Sequence, residues 1–541
     1  MRSGDFTGAD DEVRRAAAVT RRRFVTLTGA AAAVAFGTNL PVSSRAFADD
    51  AALRSDPFML GVASGDPLPD AVVLWTRLVP QIFDPMGGMP DRNVAVQWQV
   101  ARDERFQQVV RNGTATARPE YRHAVHVDAR GLQPASEYFY RFKVGNYLSP
   151  VGRTKTAPAA GSQPSRMRFA VASCQNYPDG FYTAYRHMVN DDLDAVFFLG
   201  DYIYENAVNQ VGGNRNDSAL AIPDIFQVAP DTLDLYRLRY SLYKSDPDLQ
   251  AAHAAFPWIA TWDDHEVEDN YAAGVSRGNK PVEDFLVQRA NAYRAYWEHM
   301  PLRPLQEPVG PDAQLYRRFD FGDLVRVSVL DTRQYRDDQS CGDGVKAGCA
   351  EADDPARTLL GTAQRTWLAD GLAGSGARWN LLANQVMVAK QRNSLTDPPL
   401  VNMDAWDGYT AERKLLFDEI AQRDIKGVFV ITGDTHTNYA ADLKLDFDDL
   451  NSQTVGVELV GTSITSGGDG YDSNDQLALQ LAANPHIKFN SFQRGYVRCE
   501  LDRDLMRADH LVIPYISRPN APLSTRASFV SERANPGLQP A

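Results

Sequence analysis

Four apolar runs in this chain each close on residues that can hold a cation or move a proton. They are Arg168-Phe-Ala-Val-Ala-Ser-Cys174, Val196-Phe-Phe-Leu-Gly-Asp201-Tyr-Ile-Tyr204, Ile259-Ala-Thr-Trp-Asp-Asp264-His265-Glu266 and Val428-Phe-Val-Ile-Thr-Gly-Asp434-Thr-His436. Carboxylates are hard oxygen donors suited to calcium, whereas Cys, Tyr and His suit iron or zinc. Asp201 follows a glycine, so its carboxylate can reach out of a turn and bridge two cations. The Tyr204 phenol, as a phenolate, would favour a strongly Lewis-acidic ion such as ferric iron. Asp264 sets a hard oxygen beside the His265 imidazole, and Asp434 and His436, two apart, share a side if extended. Each motif alone has a structural reading: Gly-Asp is a common turn, Asp-His pairs cap helices, and Cys174 would be a buried core thiol. Their recurrence at strand ends points instead to a polynuclear metal centre.

The elements that must position these residues read as α/β. Strand patterns fall at 167–173, 195–200, 256–262, 324–330, 379–384, 427–432, 455–460 and 495–501, with helical patterns at 180–190, 284–296, 364–372 and 411–422. Such interleaving predicts a partly parallel sheet, which builds its site at the carboxyl edge of the strands. Residues 56–156 read instead as short strands separated by turns. Gly131-Leu-Gln-Pro-Ala-Ser-Glu-Tyr138 resembles the corner of a fibronectin type III sandwich, in which a tyrosine hydroxyl ties a loop to its strand. No ligand cluster occurs there, and His123 and His126 read as surface or packing residues. A Pro/Gly/Ser-rich linker at 157–164 separates the regions. The predicted organisation is a leader at 1–48, a β-sandwich at 56–156, a catalytic domain at 166–514 and a patternless tail at 515–541.

The leader carries Arg21-Arg22-Arg23-Phe24, an apolar stretch from 29 to 37 and Ala46-Phe47-Ala48, the pattern of a twin-arginine export signal and its cleavage site. The apolar stretch is shorter than the roughly 20 residues a membrane span requires. The expectation is a secreted protein that uses the twin-arginine machinery and has no transmembrane segment. The 541 residues are 44% hydrophobic and 23% charged, with a net charge of −13 and no basic patch, which argues against general nucleic-acid binding. Outside the cell, Cys341 and Cys349 would close a Gly-rich loop by a disulfide.

In that order, Ser-Cys-Gln, Gly-Asp-Tyr-Ile-Tyr-Glu, Trp-Asp-Asp-His-Glu and Gly-Asp-Thr-His resemble the PhoD-like alkaline phosphatase/phosphodiesterase family over nearly the whole chain. That family is similar to the purple acid phosphatases and to several secreted actinobacterial phospholipases D. The resemblance implies an α/β metallophosphoesterase core of two packed mixed β-sheets flanked by helices, preceded by an all-β fibronectin-III-like sandwich. It implies Fe3+ held by Cys174, Asp201, Tyr204 and His436, and Ca2+ held by Asp201, Asp264 and Asp434. Asn384, in Trp379-Asn-Leu-Leu-Ala-Asn384, would be a further ligand or a phosphate donor. His265 would face the phosphate, and Arg333 would either bind it bidentately or form a strand-end ion pair. The implied reaction is hydrolysis of phosphomonoesters and phosphodiesters by a metal-activated hydroxide. The substrate would be a small diester, a teichoic-acid-like polymer or a phosphatidylcholine-type lipid, and the enzyme a monomer. Two other classes stand beside it: a calcium-stabilised adhesion protein, and a serine hydrolase, for which the chain has no Gly-x-Ser-x-Gly elbow.

Overall fold

A computed structural model describes residues 53, 55–208, 215, 222–449 and 451–541. The expected export signal at 1–48 lies outside the described residues, as does part of the insertion at 206–254.

The N-terminal region contributes β1 (Val62–Leu68), β2 (Ala71–Arg77), β3 (Val94–Ala101), β4 (Val109–Ala117), β5 (Ala124–Arg130), β6 (Glu137–Val144), β7 (Tyr147–Leu148) and β8 (Gly152–Lys155). Alternation makes these strands one-sided. In β6, Tyr138, Tyr140, Phe142 and Val144 are buried, while the residues between them are exposed or half-buried, as in an antiparallel sheet with one wet face. They pack with Val72, Leu74, Val96, Val100, Val125 and Val127 as one core. The Tyr138 hydroxyl accepts a hydrogen bond from Gln133 N–H at 2.8 Å. This region is continuous with the rest of the fold, because β1 pairs in parallel with β11 (Pro257–Thr261).

The first core sheet runs β24-β23-β22-β21-β9-β10-β11-β1-β2-β5. Its remaining members are β9 (Arg166–Ala172), β10 (Ala195–Leu199), β21 (Arg494–Asp502), β22 (Leu505–Ile513), β23 (Ser524–Glu532) and β24 (Gln539–Pro540). The second runs β12-β13-β15-β17-β19-β18-β20. It comprises β12 (Arg317–Phe321), β13 (Val325–Val329), β15 (Trp379–Ala383), β17 (Val428–Thr432), β18 (Asn438–Lys444), β19 (Thr454–Val460) and β20 (Ile487–Ser491). β14 (Val345–Ala347) and β16 (Leu400–Asn402) form a separate two-stranded arm. Residues 515–541, patternless in sequence, thus add β23 and β24 at the sheet edge.

Both faces of the central strands are covered, so their runs are continuously apolar rather than alternating. Phe169, Val171, Phe197 and Leu199 point between the sheets toward Val327, Leu381, Phe429 and Ile431. Ala170, Ala172, Val196 and Phe198 point to the other side, toward residues of α1 (Thr183–Met188), α2 (Leu233–Lys244), α3 (Pro247–Ala255) and α4 (Val282–His299). Burying each such Phe or Leu contributes about 1.5–3 kcal/mol. A one-residue slip would swap the two faces, so packing locks the register Phe197↔Val171 and Leu199↔Thr261. Because β9, β10 and β11 are mutually parallel, as are β13, β15, β17 and β19, each set ends its turns on one edge.

Candidate metal centre

At that edge the backbone is strained where the ligand candidates sit. Cys174, Asp201, Asp434 and His436 all adopt left-handed conformations, with φ of +59°, +58°, +61° and +55°. For non-glycine residues this costs on the order of 1–3 kcal/mol each, and such strain clusters at functional sites. Two glycines permit the close approach of the turns. A Cβ on Gly200 (φ +109°) would lie 2.4 Å from the Asp263 Cβ, and one on Gly433 would lie 2.8 Å from the Ser173 hydroxyl. The turn after β10 therefore abuts the one after β11, and the turn after β17 abuts the one after β9.

Glu266 ties two of these turns together. Its buried carboxylate accepts hydrogen bonds from the backbone N–H groups of Asp201 (3.1 Å), Tyr202 (2.5 Å) and Asp263 (2.9 Å). Burial, and then the Asp201 charge, push its carboxyl up to about 8 against those three donors.

Among the described residues, three groups of potential His, Cys, Asp or Glu ligand atoms result, each within 4.8 Å of one another: Cys174, Asp201 and His436; Asp201, Asp264 and His265; and Asp263, Asp264 and Asp434. Tyr204 joins the first group. Its hydroxyl donates to Asp201 Oδ2 at 2.8 Å, lies 3.0 Å from His436 Nε2 and accepts from the Ser466 hydroxyl at 2.7 Å. Burial and the neighbouring Asp201 charge push both the Cys174 thiol and the Tyr204 phenol well above their ordinary values. Either group would ionise here only beside a cation.

The His265 ring lies tilted by 33° against Tyr204, with ring centroids 4.1 Å apart, and its Nδ1 lies 2.7 Å from Glu205 Oε2. Burial disfavours the imidazolium, but Glu205, Asp264 and Asp201 outweigh it and raise the His265 pKa well above the usual value. Asp201 is drawn down to about 2, since His265 and His436 outweigh its burial. Asp434 is pushed up to about 8 by burial and by Asp404, which outweigh Arg333.

Arg333 lies beneath the carboxylates and is fully buried. Its Nε donates to Asp263 Oδ1 at 2.5 Å and its Nη1 to Asp404 Oδ1 at 2.8 Å, while Nη2 lies 3.5 Å from Asp264 and 3.6 Å from Asp434. Of the two roles open to Arg333 in sequence, the ion pair is present in these contacts, and Nη2 has no hydrogen-bond partner among the described residues, which leaves that nitrogen for a phosphate oxygen. Asn384 follows β15 and is fully buried. Its amide donates to the Val386 carbonyl and to Thr432 Oγ1, and accepts from the Trp406 indole at 3.3 Å.

The donor set fits cations. Among the described residues, Asp201 Oδ1, Asp263 Oδ2 and Asp264 Oδ1 are buried without a hydrogen-bond partner, and a buried carboxylate oxygen left bare is costly. Side-chain exposure of 15% at His265, 20% at Asp434 and 28% at His436 marks the open side.

Asp263, Glu205 and Glu266 stand inside or beside the quoted motifs, yet their types and spacing alone did not mark them as part of the site. Asp404 and Ser466 gave no signal, since nothing in their local sequence says what they face.

Two mixed sheets with flanking helices and a carboxylate-rich edge site define an α/β protein with a candidate metal centre, and comparison with known proteins narrows that class. The PhoD-like phosphatase family model matches residues 169–510, and the model of the PhoD-like phosphatase N-terminal domain matches residues 43–158. The chain is 49% identical to alkaline phosphatase D of Bacillus subtilis (strain 168) over 527 residues, covering 96% of this chain and 88% of that protein. It superposes on a solved structure of PhoD with a TM-score of 0.87 at 49% identity, over 90% of this chain and 93% of the other. A purple acid phosphatase from yellow lupin (Lupinus luteus) seeds shares the fold at 11% identity, with a TM-score of 0.53 over 87% and 74% of the two chains. The chain belongs to the PhoD-like phosphatase family. It is an enzyme, a phosphoesterase, which sets aside the adhesion-protein alternative. The family implies metal ions, and the clustered ligand candidates supply places for them. Among the described residues, no helix is long and apolar enough to cross a membrane.

Proposed function

We propose that this enzyme hydrolyses phosphomonoesters and phosphodiesters at a site holding Fe3+ and Ca2+. The observation that carries this reading is the overlap of the ligand groups: Asp201 and Asp264 each belong to two of the three, the pattern of a site built for more than one cation. Cys174, Asp201, Tyr204 and His436 would hold the iron, and Asp201, Asp264 and Asp434 the calcium. Asn384 would be a further ligand or a phosphate donor. When bound, these ions supply Lewis acidity toward the phosphoryl oxygens and toward an attacking water. Glu205 fixes the His265 ring and favours its protonated form, so His265 is placed to donate a hydrogen bond to the phosphoryl group or a proton to the leaving alkoxide. Arg333 holds the carboxylates together. The five strands β3, β4 and β6–β8, packed on β1, β2 and β5, support the fibronectin-III-like reading of the N-terminal region. Residues 1–48 are read as a twin-arginine signal, and the mature enzyme as a secreted monomer.

A second reading, phospholipase D activity, is favoured by the exposed apolar residues on and beside the β14–β16 arm: Val345 (52%), Leu395 (71%) and Leu400 (38%). The test is hydrolysis of bis-p-nitrophenyl phosphate, p-nitrophenyl phosphate and phosphatidylcholine vesicles by the mature protein, before and after chelation. Activity lost on chelation and restored by calcium is expected. Activity that survives exhaustive metal removal would sink the metal-dependent reading, and turnover of the vesicles alone would favour the lipase.

A further inference from the structure

The disulfide-closed loop reaches the metal centre through a short relay. Cys341 and Cys349 are bonded, and the loop between them presents Asp343. Both Asp343 carboxylate oxygens accept from the Asn270 side-chain amide, at 2.9 and 3.0 Å, and the Arg277 Nε lies 3.3 Å away. Asn270 is left-handed (φ +50°), and its backbone N–H donates to Asp264 Oδ2 at 2.7 Å. Its carbonyl accepts from Gln339 Nε2 at 2.8 Å, and the same nitrogen donates to Asp404 Oδ1 at 2.8 Å. Asp404 is in turn the partner of Arg333 and Arg336. The far end of the loop is pinned as well, since the Gly344 carbonyl accepts from Met403 N–H at 3.0 Å. Segment 339–344 therefore grips the residue that orients Asp264 and the residue that neutralises Arg333.

We propose that Asp343 and Asn270 are positioning residues for Asp264, and that the Cys341–Cys349 disulfide holds them in place, so that cation affinity depends on the oxidised loop. The inference rests on the reading of Asp264 as a cation ligand. With Oδ2 held by Asn270 N–H, Asp264 Oδ1, which has no hydrogen-bond partner among the described residues and lies 3.5 Å from Arg333 Nη2, is turned to the cation site. Outer partners of this kind change metal affinity by about 10–100-fold when lost. Cys341 is exposed, so a dithiol reductant can reach the bond. Reduction breaks the S–S bond, each sulfur takes up a proton as a thiol, and the reductant leaves as its cyclic disulfide.

The test exchanges donor and acceptor. Asn270→Asp sets two carboxylates face to face, and Asp tolerates the left-handed backbone. Adding Asp343→Asn restores one amide–carboxylate pair with its polarity reversed. Calcium binding to the full mature chain is measured by equilibrium dialysis, with thermal midpoints in chelator as the control for folding. The expectation is a calcium Kd raised about 10–100-fold in N270D and recovered in N270D/D343N. Dithiothreitol is expected to weaken binding similarly in the wild-type chain and to leave C341S/C349S unchanged. A purely structural role would lower the thermal midpoint without this reversal of affinity. Wild-type affinity in N270D, or no recovery in a folded N270D/D343N, overturns the proposal while leaving the metal reading intact. A wild-type chain that binds no calcium overturns the metal reading itself, and the proposal with it.

Discussion

Replacing Arg333 with Met tests whether one buried cation holds four carboxylates together. The guanidinium is fully buried, hydrogen-bonded to Asp263 and Asp404 and within 3.6 Å of Asp264 and Asp434. Met fills similar space and removes the charge. Removing one partner of a buried ion pair costs about 3–5 kcal/mol, because the other charge is left uncompensated. Arg336 still serves Asp404, so the loss falls on Asp263, Asp264 and Asp434. These carboxyls can recover part of it by taking up protons, which makes the cost depend on pH. Each proton retained only in the folded state is worth about 1.4 kcal/mol per pH unit. Urea unfolding in chelator should therefore show R333M less stable than wild type by about 3–5 kcal/mol near pH 8. The gap should be smaller near pH 6 and smaller again with calcium, whose charge stands in for the guanidinium. Equal stability of the two proteins in chelator at both pH values would mean that Arg333 does not hold the carboxylates together.

Three further outcomes follow from the same geometry. Asp434 and Glu266 are each raised to about 8, so the metal-free folded chain keeps protons that the unfolded chain has released above about pH 4. That contribution is complete below the unfolded value and is lost as the pH rises through 8; chelated enzyme should lose stability between about pH 4 and pH 8, by roughly 1.4 kcal/mol per unit for each such group, as read by denaturant midpoints. Glu266→Gln sets an amide N–H2 against backbone donors in the β10 and β11 turns, and should cost about 1–3 kcal/mol and reduce kcat by about tenfold or more; an unchanged kcat would remove Glu266 from the site's architecture. Glu205→Gln removes the largest influence raising the His265 pKa, so the alkaline limb of the pH–rate profile should move to lower pH, whereas an unmoved limb would take His265 out of proton donation.

Much of the molecule was legible in the chain itself. The apolar runs at 195–200 and 427–432 read as buried strands, and they correspond to Ala195–Leu199 and Val428–Thr432. The polar residues that follow such runs stand at a sheet edge by the geometry of parallel pairing, so Cys174, Asp201, Asp264 and Asp434 could be proposed together. Other strands were silent. Arg166–Ala172 has neighbours on both sides, and its partner Arg494–Asp502 was read, but Leu505–Ile513 and Ser524–Glu532 carry mixed polar and apolar residues that fit a partly wet sheet edge or a loop equally well.

Tertiary structure alone decided which groups share a charge and which turn touches which. Arg333 lies seventy residues from Asp263 and seventy-one from Asp404, and only the packing of the two sheets makes them one cluster. The same packing gives Glu266 three backbone donors from two turns, and sets Asp343 against Asn270 across a 73-residue separation. Residue type and local spacing determine what a side chain can bind. Which charges it must share, and which of its atoms are left bare, depends on distances across the fold, because electrostatic and hydrogen-bond energies depend on separation and burial rather than on order along the chain.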